Sequence, residues 1–213
     1  MVRYTQHPGL DDGLARKFRE EHVELFENGS FIATNNKQVV KSFELDGEEY
    51  VIKRYPENGP RANLRSILGI SRAMNSFKRS AQLSSLGIQI PIHFFVVRHL
   101  GFFQASSYLI MKKSRGVSLH SMLAQQSEVS ITNRVIDNLV AMTQCMHAAG
   151  LSHGDLHAGN IFVLGDESVE FIDLDNVASD YKRQEKDIAR LIRSFHARPL
   201  IQEKLDRNLT FTS

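Results

Sequence analysis

Three oxygen-bearing side chains, set at fixed spacings around one short loop, constrain this chain more than any other feature. In His153-Gly154-Asp155-Leu156-His157-Ala158-Gly159-Asn160, Asp155 and Asn160 stand five positions apart. Phe171-Ile172-Asp173-Leu174-Asp175-Asn176 then puts Asp173 thirteen positions beyond Asn160. Upstream, Val135, Ile136, Leu139, Met142, Thr143 and Met146 share one face of a helix expected over about 131–148, ending near Gly150. Downstream, Ile161–Leu164 and Val169–Ile172 read as short strands around a Gly165-Asp166 turn. A helix, a polar loop, a tight hairpin and an acid at its exit bring Asp155, Asn160 and Asp173 toward one point. Such oxygens suit Mg²⁺, which takes one or two ligands from protein and the rest from phosphates and water. Phosphoryl transfer also needs an Asp that orients the acceptor hydroxyl and takes its proton.

The N-terminal half follows a different period. Leu14, Phe18, His22, Leu25 and Phe26 predict a short leading helix. Phe31–Ala33, Gln38–Leu45 and Glu48–Tyr55 read as strands, the last two joined by Asp46-Gly47, a strong hairpin signal. Residues 56–60 read as a break. A helical stripe over 61–86 carries Leu64, Ile67, Leu68, Ala73, Met74, Phe77 and Ala81, with Gly69 dividing or bending it and Gly87 and Pro91 stopping it. Ile92–Val97 and Tyr108–Met111 predict two more strands, with Gly101 in the turn between them and Gly116 in the loop beyond. Ile188, Leu191, Ile192 and Phe195 give a final amphipathic helix. The order predicts an α+β chain in two lobes: an N-lobe over about 1–111, a hinge over about 111–116, and a C-lobe over about 117–213.

Composition narrows the setting. One Cys in 213 residues makes no internal disulfide, which favours a reducing compartment. The first residues lack a secretory pattern, and no run approaches the roughly 20 apolar residues that span a bilayer. A cytoplasmic protein is expected. The net charge of +2 is unevenly placed: residues 58–127 hold 9 Lys+Arg and no acid. That field attracts an anion, whether nucleotide, nucleic acid, anionic lipid or phosphorylated sugar, or it is simply a solvated basic face. Cys145 is read as packing, and the His spacings argue against zinc. Asp175 is read either as a turn residue or as a substrate contact. Asp187 is placed at the start of the last helix, where an acid complements the macrodipole.

The loop resembles the protein-kinase-like superfamily. The pattern H-R-D-x-x-x-x-N is met by His153, Asp155 and Asn160, with Gly154 in the Arg position, and the D-F-G acid is matched by Asp173. Tyr50-Val51-Ile52-Lys53 matches the strand that carries the family lysine. H-G-D-x-H-x-x-N is similar to the atypical branch that holds lipopolysaccharide core, aminoglycoside, choline and RIO-type kinases. His157 matches the second His of that branch and is expected to hydrogen-bond the loop backbone. Only 40 residues follow Asp173, and no A-P-E occurs among them. Two departures stand out. The turn Thr34-Asn35-Asn36-Lys37 replaces a Gly-rich phosphate loop, and no acid between 58 and 127 is available to pair with Lys53. Gln82, an acid from elsewhere, or weak activity are the alternatives.

Ser71-Arg72-Ala73, Leu86-Gly87-Ile88 with Pro91, Ile172-Asp173-Leu174-Asp175 and Lys186 through Ser194 resemble the lipopolysaccharide kinases that phosphorylate Kdo or heptose of the inner core. The resemblance implies a small bilobal protein-kinase-like fold, with an antiparallel-sheet N-lobe and a reduced, mostly helical C-lobe. It implies ATP and Mg²⁺ as cofactors. Asp155 would be the catalytic base, Asn160 and Asp173 the metal ligands, Lys53 the contact to the α- and β-phosphates, and Met111 to Lys113 the adenine contact. The acceptor would be a lipid-linked or oligosaccharide substrate, with no nucleic acid expected. Residues 61–115, where Arg65, Arg72 and Arg79 recur every seven positions, would face an anionic membrane surface, placing the protein peripherally on the inner face of the inner membrane. Another small-molecule or RIO-like kinase, or a weak pseudokinase that binds anionic lipid, fits the same residues.

Overall fold

The computed structural model describes residues 2–58, 68, 70–99, 104–124 and 131–209. Two compact units emerge: Met1–Ser80 with Pro91–Lys113, and Ala81–Ile90 with Ser114–Ser213.

The first unit is one antiparallel sheet of six strands. Its strands are β1 (Val2–Gln6), β2 (Ser30–Asn35), β3 (Gln38–Leu45), β4 (Glu48–Asn58), β5 (His93–His99) and β6 (Gln104–Lys112), in the order β1-β5-β6-β4-β3-β2. Asp46 and Gly47 both take positive φ (53° and 76°), the two-residue turn that the Asp-Gly pair favours between twisted strands. Period-two alternation sorts the side chains by face. Tyr50, Ile52, Phe95, Val97, Tyr108 and Ile110 pack with α1 (Asp12–Asn28) through Ala15, Phe18 and Phe26. Phe18 is fully buried and meets Tyr50 edge-on at 5.4 Å between ring centroids. The alternate residues Tyr55, Val96, Leu109 and Met111 pack with Ala73 and Met74 of α2 (Arg72–Ser85).

Some expectations shift. Strand β1 precedes the leading helix where no strand was expected: its Val2 and Tyr4 are exposed, so no buried alternation marks it, and it is held by pairing with β5. The break expected from Pro56 does not occur. Strand β4 runs on to Asn58, because beyond Arg54 it pairs only with β6 and a missing N–H on the other side costs nothing. Of the helix expected over 61–86, residues 72–85 are helical, while Arg61, Leu64, Arg65, Ile67 and Gly69 lie outside the described residues, as does Gly101.

The second unit contains β7 (Val117–Ser118), α3 (Leu119–Ala124), α4 (Asn133–Ala148), β8 (Ile161–Val163), β9 (Val169–Phe171), α5 (Tyr181–Arg193) and α6 (Pro199–Leu209). Thr132 caps α4 by accepting from the Val135 amide at 3.2 Å. Gly150, at φ 74°, closes it as the Leu151 amide donates to the Met146 carbonyl. Strands β7, β8 and β9 form a small antiparallel sheet. Leu139, Met146, Leu151, Leu156, Ile161, Phe171, Leu174, Leu191, Phe195 and Leu205 are the centre of its core. The sequence pattern had the chain end on one amphipathic helix; α6 is a second, with Leu205 and Leu209 buried. Cys145 is exposed rather than packed, its thiol directed at the Leu86 carbonyl at 3.6 Å.

Candidate active site

The loop between α4 and β8 is built by alternating anchors and polar groups. Leu156 and Leu174 are fully buried, and each follows directly on a partly exposed acid, Asp155 and Asp173. Burying the leucines fixes the chain so that the neighbouring carboxylates project from the core.

Asp187 organises the loop from below. It lies mid-helix in α5, 1% exposed, and its carboxylate accepts from the amides of His153 (2.6 Å) and Gly154 (3.0 Å). His147 Nε2 sits 3.8 Å from the same carboxylate. Burial pushes this carboxyl up, yet the His147 side chain and the Gly154 and His153 amides outweigh burial and hold it below the usual carboxylate range. The placement expected for Asp187, at a helix start for the sake of the macrodipole, is therefore corrected: α5 begins at Tyr181, capped by Asp180, and Asp187 satisfies the loop backbone instead. No local spacing marks it, because the amides it accepts from lie 33 and 34 positions away.

Gly154 has φ 79°, and a Cβ there would stand 2.5 Å from the Asn176 carbonyl oxygen. No side chain fits, so the Gly in the Arg position has a steric cause as well as a family one.

Asp155 is held by two bases. Arg190 Nη1 is 3.0 Å from Asp155 Oδ1 and also donates to the Gly154 carbonyl at 2.9 Å. His157 Nε2 is 3.7 Å from Asp155 Oδ2, while His157 Nδ1 accepts from the Gly159 amide at 3.0 Å, the backbone contact expected of it. Asn160 is buried, and its Nδ2 donates to the Asp155 carbonyl at 2.9 Å. That bond orients the amide so that its oxygen is the end offered to a cation.

The peptide of Ile172 ties the loop to Asp173. Its N–H donates to the Asn160 carbonyl, and its carbonyl accepts from His153 Nε2, both at 3.0 Å. Asp173 follows in the left-handed region (φ 59°, ψ 60°), which costs a non-Gly residue about 1 kcal/mol and re-aims its carboxylate out of the strand direction. His153 is fully buried; burial holds its imidazole below the ordinary 6.5, although Asp187, Asp173 and Asp155 pull the other way. It stays neutral and works as a strut. Hydrogen bonds to the backbone of Ile172 thus hold Asp173 next to the loop that carries Asp155 and Asn160. The Asn160 amide oxygen and the Asp173 carboxylate are hard-oxygen donors of the kind Mg²⁺ takes.

In the first unit, Lys53 lies on β4, 6% exposed, opposite Val40 and Leu109. The nearby His93 is fully buried. Its Nδ1–H donates to the Pro91 carbonyl at 2.7 Å, and its Nε2 accepts from Ser76 Oγ of α2 at 3.3 Å. Burial pushes His93 down to about 4, with the Lys53 charge adding to the effect. Lys53 therefore has a neutral imidazole in its surroundings, a feature the sequence reading missed. Gln82 is exposed on α2. Met111 is buried in β6, where the Lys112 amide donates to Ile92 (2.8 Å) and the Lys113 amide to Glu49 (3.1 Å). Lys113 Nζ also pairs with Glu49, and Lys112 Nζ with Glu48. Asn35 Oδ1 closes the β2–β3 turn by accepting from Lys37 and Gln38 amides at 2.7 and 3.0 Å.

A sheet-based unit followed by a helical unit with this loop is the α+β protein-kinase-like fold, and comparison with known proteins agrees. A solved structure described as the crystal structure of monomeric WbdD matches with a TM-score of 0.56 at 18% identity, over 93% of this chain and 42% of that one. The chain thus spans less than half the length of that protein. The sequence profile of the lipopolysaccharide kinase (Kdo/WaaP) family matches residues 18–210, and the chain belongs to that family. Comparison with curated proteins returns no match. Among the described residues no helix is long and apolar enough to cross a membrane.

Proposed function

We propose that this chain transfers the γ-phosphoryl group of ATP to a hydroxyl of Kdo or heptose in the lipopolysaccharide inner core, with Mg²⁺. The observation that carries the reading is the joined pair Asp155 and Asn160, linked at 2.9 Å and tied through Ile172 to Asp173. Asp155 accepts the proton as the sugar oxygen bonds to phosphorus; the β–γ bridging bond breaks and ADP leaves. Arg190 and His157 keep the carboxylate aimed. Asn160 Oδ1 and the Asp173 carboxylate would hold Mg²⁺, which supplies compensation for phosphate charge. Lys53 carries the ammonium for the α- and β-phosphates. Met111 to Lys113 would contact adenine through backbone groups other than the Lys112 and Lys113 amides, which are already committed within the sheet. The acceptor is lipid-linked or an oligosaccharide. Basic residues of 61–115, among them Arg72 and Arg79, would meet an anionic surface on the inner face of the inner membrane.

Asp155→Ala tests this directly. Turnover of ATP with a lipid A–core acceptor should fall about 10²–10⁴-fold while nucleotide binding is kept, because the base acts on the acceptor. Asp173→Ala should weaken Mg-ATP binding as well. Wild-type rates in both variants would show the assignment to be wrong. In competition, lipid A–core should be phosphorylated ahead of aminoglycosides, choline and protein.

A further inference from the structure

Beside Asp155 the second unit holds a cavity of about 300 Å³ lined by His120, His157, Arg190, Arg193 and His196, with Ala158, Gly159 and Ser194. Every ionisable group that lines it is a base. Arg190, Arg193 and Ser194 come from one face of α5 and its end, at the i, i+3 and i+4 spacing that puts side chains together. His120 comes from α3, and His157 leads into the turn that reaches Asn160. The Ala158 amide is turned inward onto Ser194 Oγ at 3.1 Å, which fixes the turn against α5. Two of the lining bases, Arg190 and His157, are those that hold Asp155, at 3.0 and 3.7 Å. Arg193 and His196 are exposed, whereas Arg190 and His157 are only partly so.

An all-basic cavity whose inner edge is the counter-ion of the base has a definite chemical preference. A neutral hydroxylated ring would offer Arg193 no anion, whereas a carboxylate or phosphate would take charge-assisted hydrogen bonds from it. We infer that this cavity is an acceptor subsite for an anionic group on the sugar, seating it on Arg193 with the three imidazoles around it and so presenting a neighbouring hydroxyl to Asp155. Two sources supply that chemistry: the carboxylate of the acceptor sugar itself, or a phosphate already carried by the sugar next to it. This rests on the kinase reading of Asp155 and adds the recognition element that reading lacks.

Among the described residues the ion pairs of Asp155 are with Arg190 and His157 and not with Arg193, so Arg193→Glu isolates the subsite. The full chain, wild type and R193E with matching circular dichroism, is assayed with four acceptors: carboxylate alone, phosphate with the carboxylate esterified, both, and neither. The KM for the acceptor that carries the seated anion should rise tenfold or more in R193E. The KM for ATP, the kcat, and the KM for the neutral acceptor should stay within twofold. Whichever singly charged acceptor shows the rise names the source. Equal KM values in wild type and R193E for every charged acceptor would overturn the proposal, as would an equal rise for the neutral one. Binding is read independently by titrating inorganic phosphate and following the histidine imidazole NMR signals. Shifts at His120, His157 and His196 that vanish in R193E support the subsite even if no core sugar is phosphorylated, which would sink the acceptor assignment alone. Phosphorylation of all four acceptors with no dependence on Arg193 would sink the subsite and leave the kinase reading standing.

Discussion

The two units bury their charged groups in opposite ways. In the first, Lys53 is enclosed by a sheet whose two faces are both covered, and the polar group set near it, His93, is kept neutral by burial. In the second, Asp187 is enclosed by a helix and kept charged, because two backbone amides and a histidine point at it. Neutralisation and solvation by fixed dipoles are the two ways to tolerate an ionisable group inside a protein. The difference shows in what each unit can tolerate. A sheet with alternating side chains spreads its stability over many contacts. The loop concentrates its geometry in a few atoms of Asp187, Gly154 and Ile172.

The strongest test of that concentration is Asp187→Ala. It strands the His153 and Gly154 amides and removes the anion beside His147, so unfolding free energy should fall by about 3–5 kcal/mol. Phosphoryl transfer should be lost even at temperatures where the variant is folded, since Asp155 follows Gly154 directly. Urea unfolding and single-turnover ATP consumption check the two parts. A loss under 1 kcal/mol would mean that the loop does not depend on this carboxylate.

The same contrast explains what the sequence disclosed. Strands β4 and β6 were legible as the short apolar runs Tyr50-Val51-Ile52 and Tyr108-Leu109-Ile110, because both faces of the sheet are buried there. The Asp46-Gly47 turn was legible because few residues accept two positive φ values. Asp155, Asn160 and Asp173 were legible as a spacing. Asp187 was not, since its importance lies in accepting from amides 33 and 34 positions away, a contact no local pattern encodes. Strand β1 escaped because an exposed edge strand carries no apolar alternation toward a core. His93 escaped because an isolated His in an apolar run looks like any other strand residue until Ser76 and Pro91 are placed against it.

His93 gives the next effect, and it belongs to the sheet. Its folded value of about 4 lies below the ordinary 6.5, so the unfolded chain binds the proton more readily between those limits. Stability from keeping it neutral is complete above about 6.5 and is lost as pH falls toward 4, amounting to about 3 kcal/mol for the full interval. His93→Gln keeps hydrogen-bonding capacity but does not titrate. The difference in unfolding free energy between wild type and variant should therefore shrink by about that amount from pH 7 to pH 4. A constant difference would show that His93 is as readily protonated in the folded chain as in the unfolded one.

Gly154→Ala ranks below these in stability and returns to the loop. The methyl group meets the Asn176 carbonyl and the backbone stays at φ 79°, so about 2 kcal/mol should be lost. The effect on kcat should be disproportionate, a hundredfold or more, because relief of the clash moves Asp155 away from Arg190. An unchanged kcat with a lowered Tm would mean that the loop can shift without disturbing the base.

The smallest effect closes the comparison on the sheet side. Asp11 caps α1 by accepting from the Leu14 amide at 3.0 Å, at an exposed position far in sequence from the loop. Asp11→Ala removes one cap and the charge that complements the helix N-terminus, which costs about 1 kcal/mol. Helix α1 is held down chiefly by Phe18, Ala15 and Phe26, so the fold should persist, with a Tm lower by a few degrees. Asp11→Ser, which restores an accepting oxygen without the charge, should recover most of that loss. Neither variant should change kcat, because spread-out packing absorbs a local defect that the loop could not. A fall in kcat as large as that of Gly154→Ala would contradict this account, since it would make the sheet's covering helix as unforgiving as the loop.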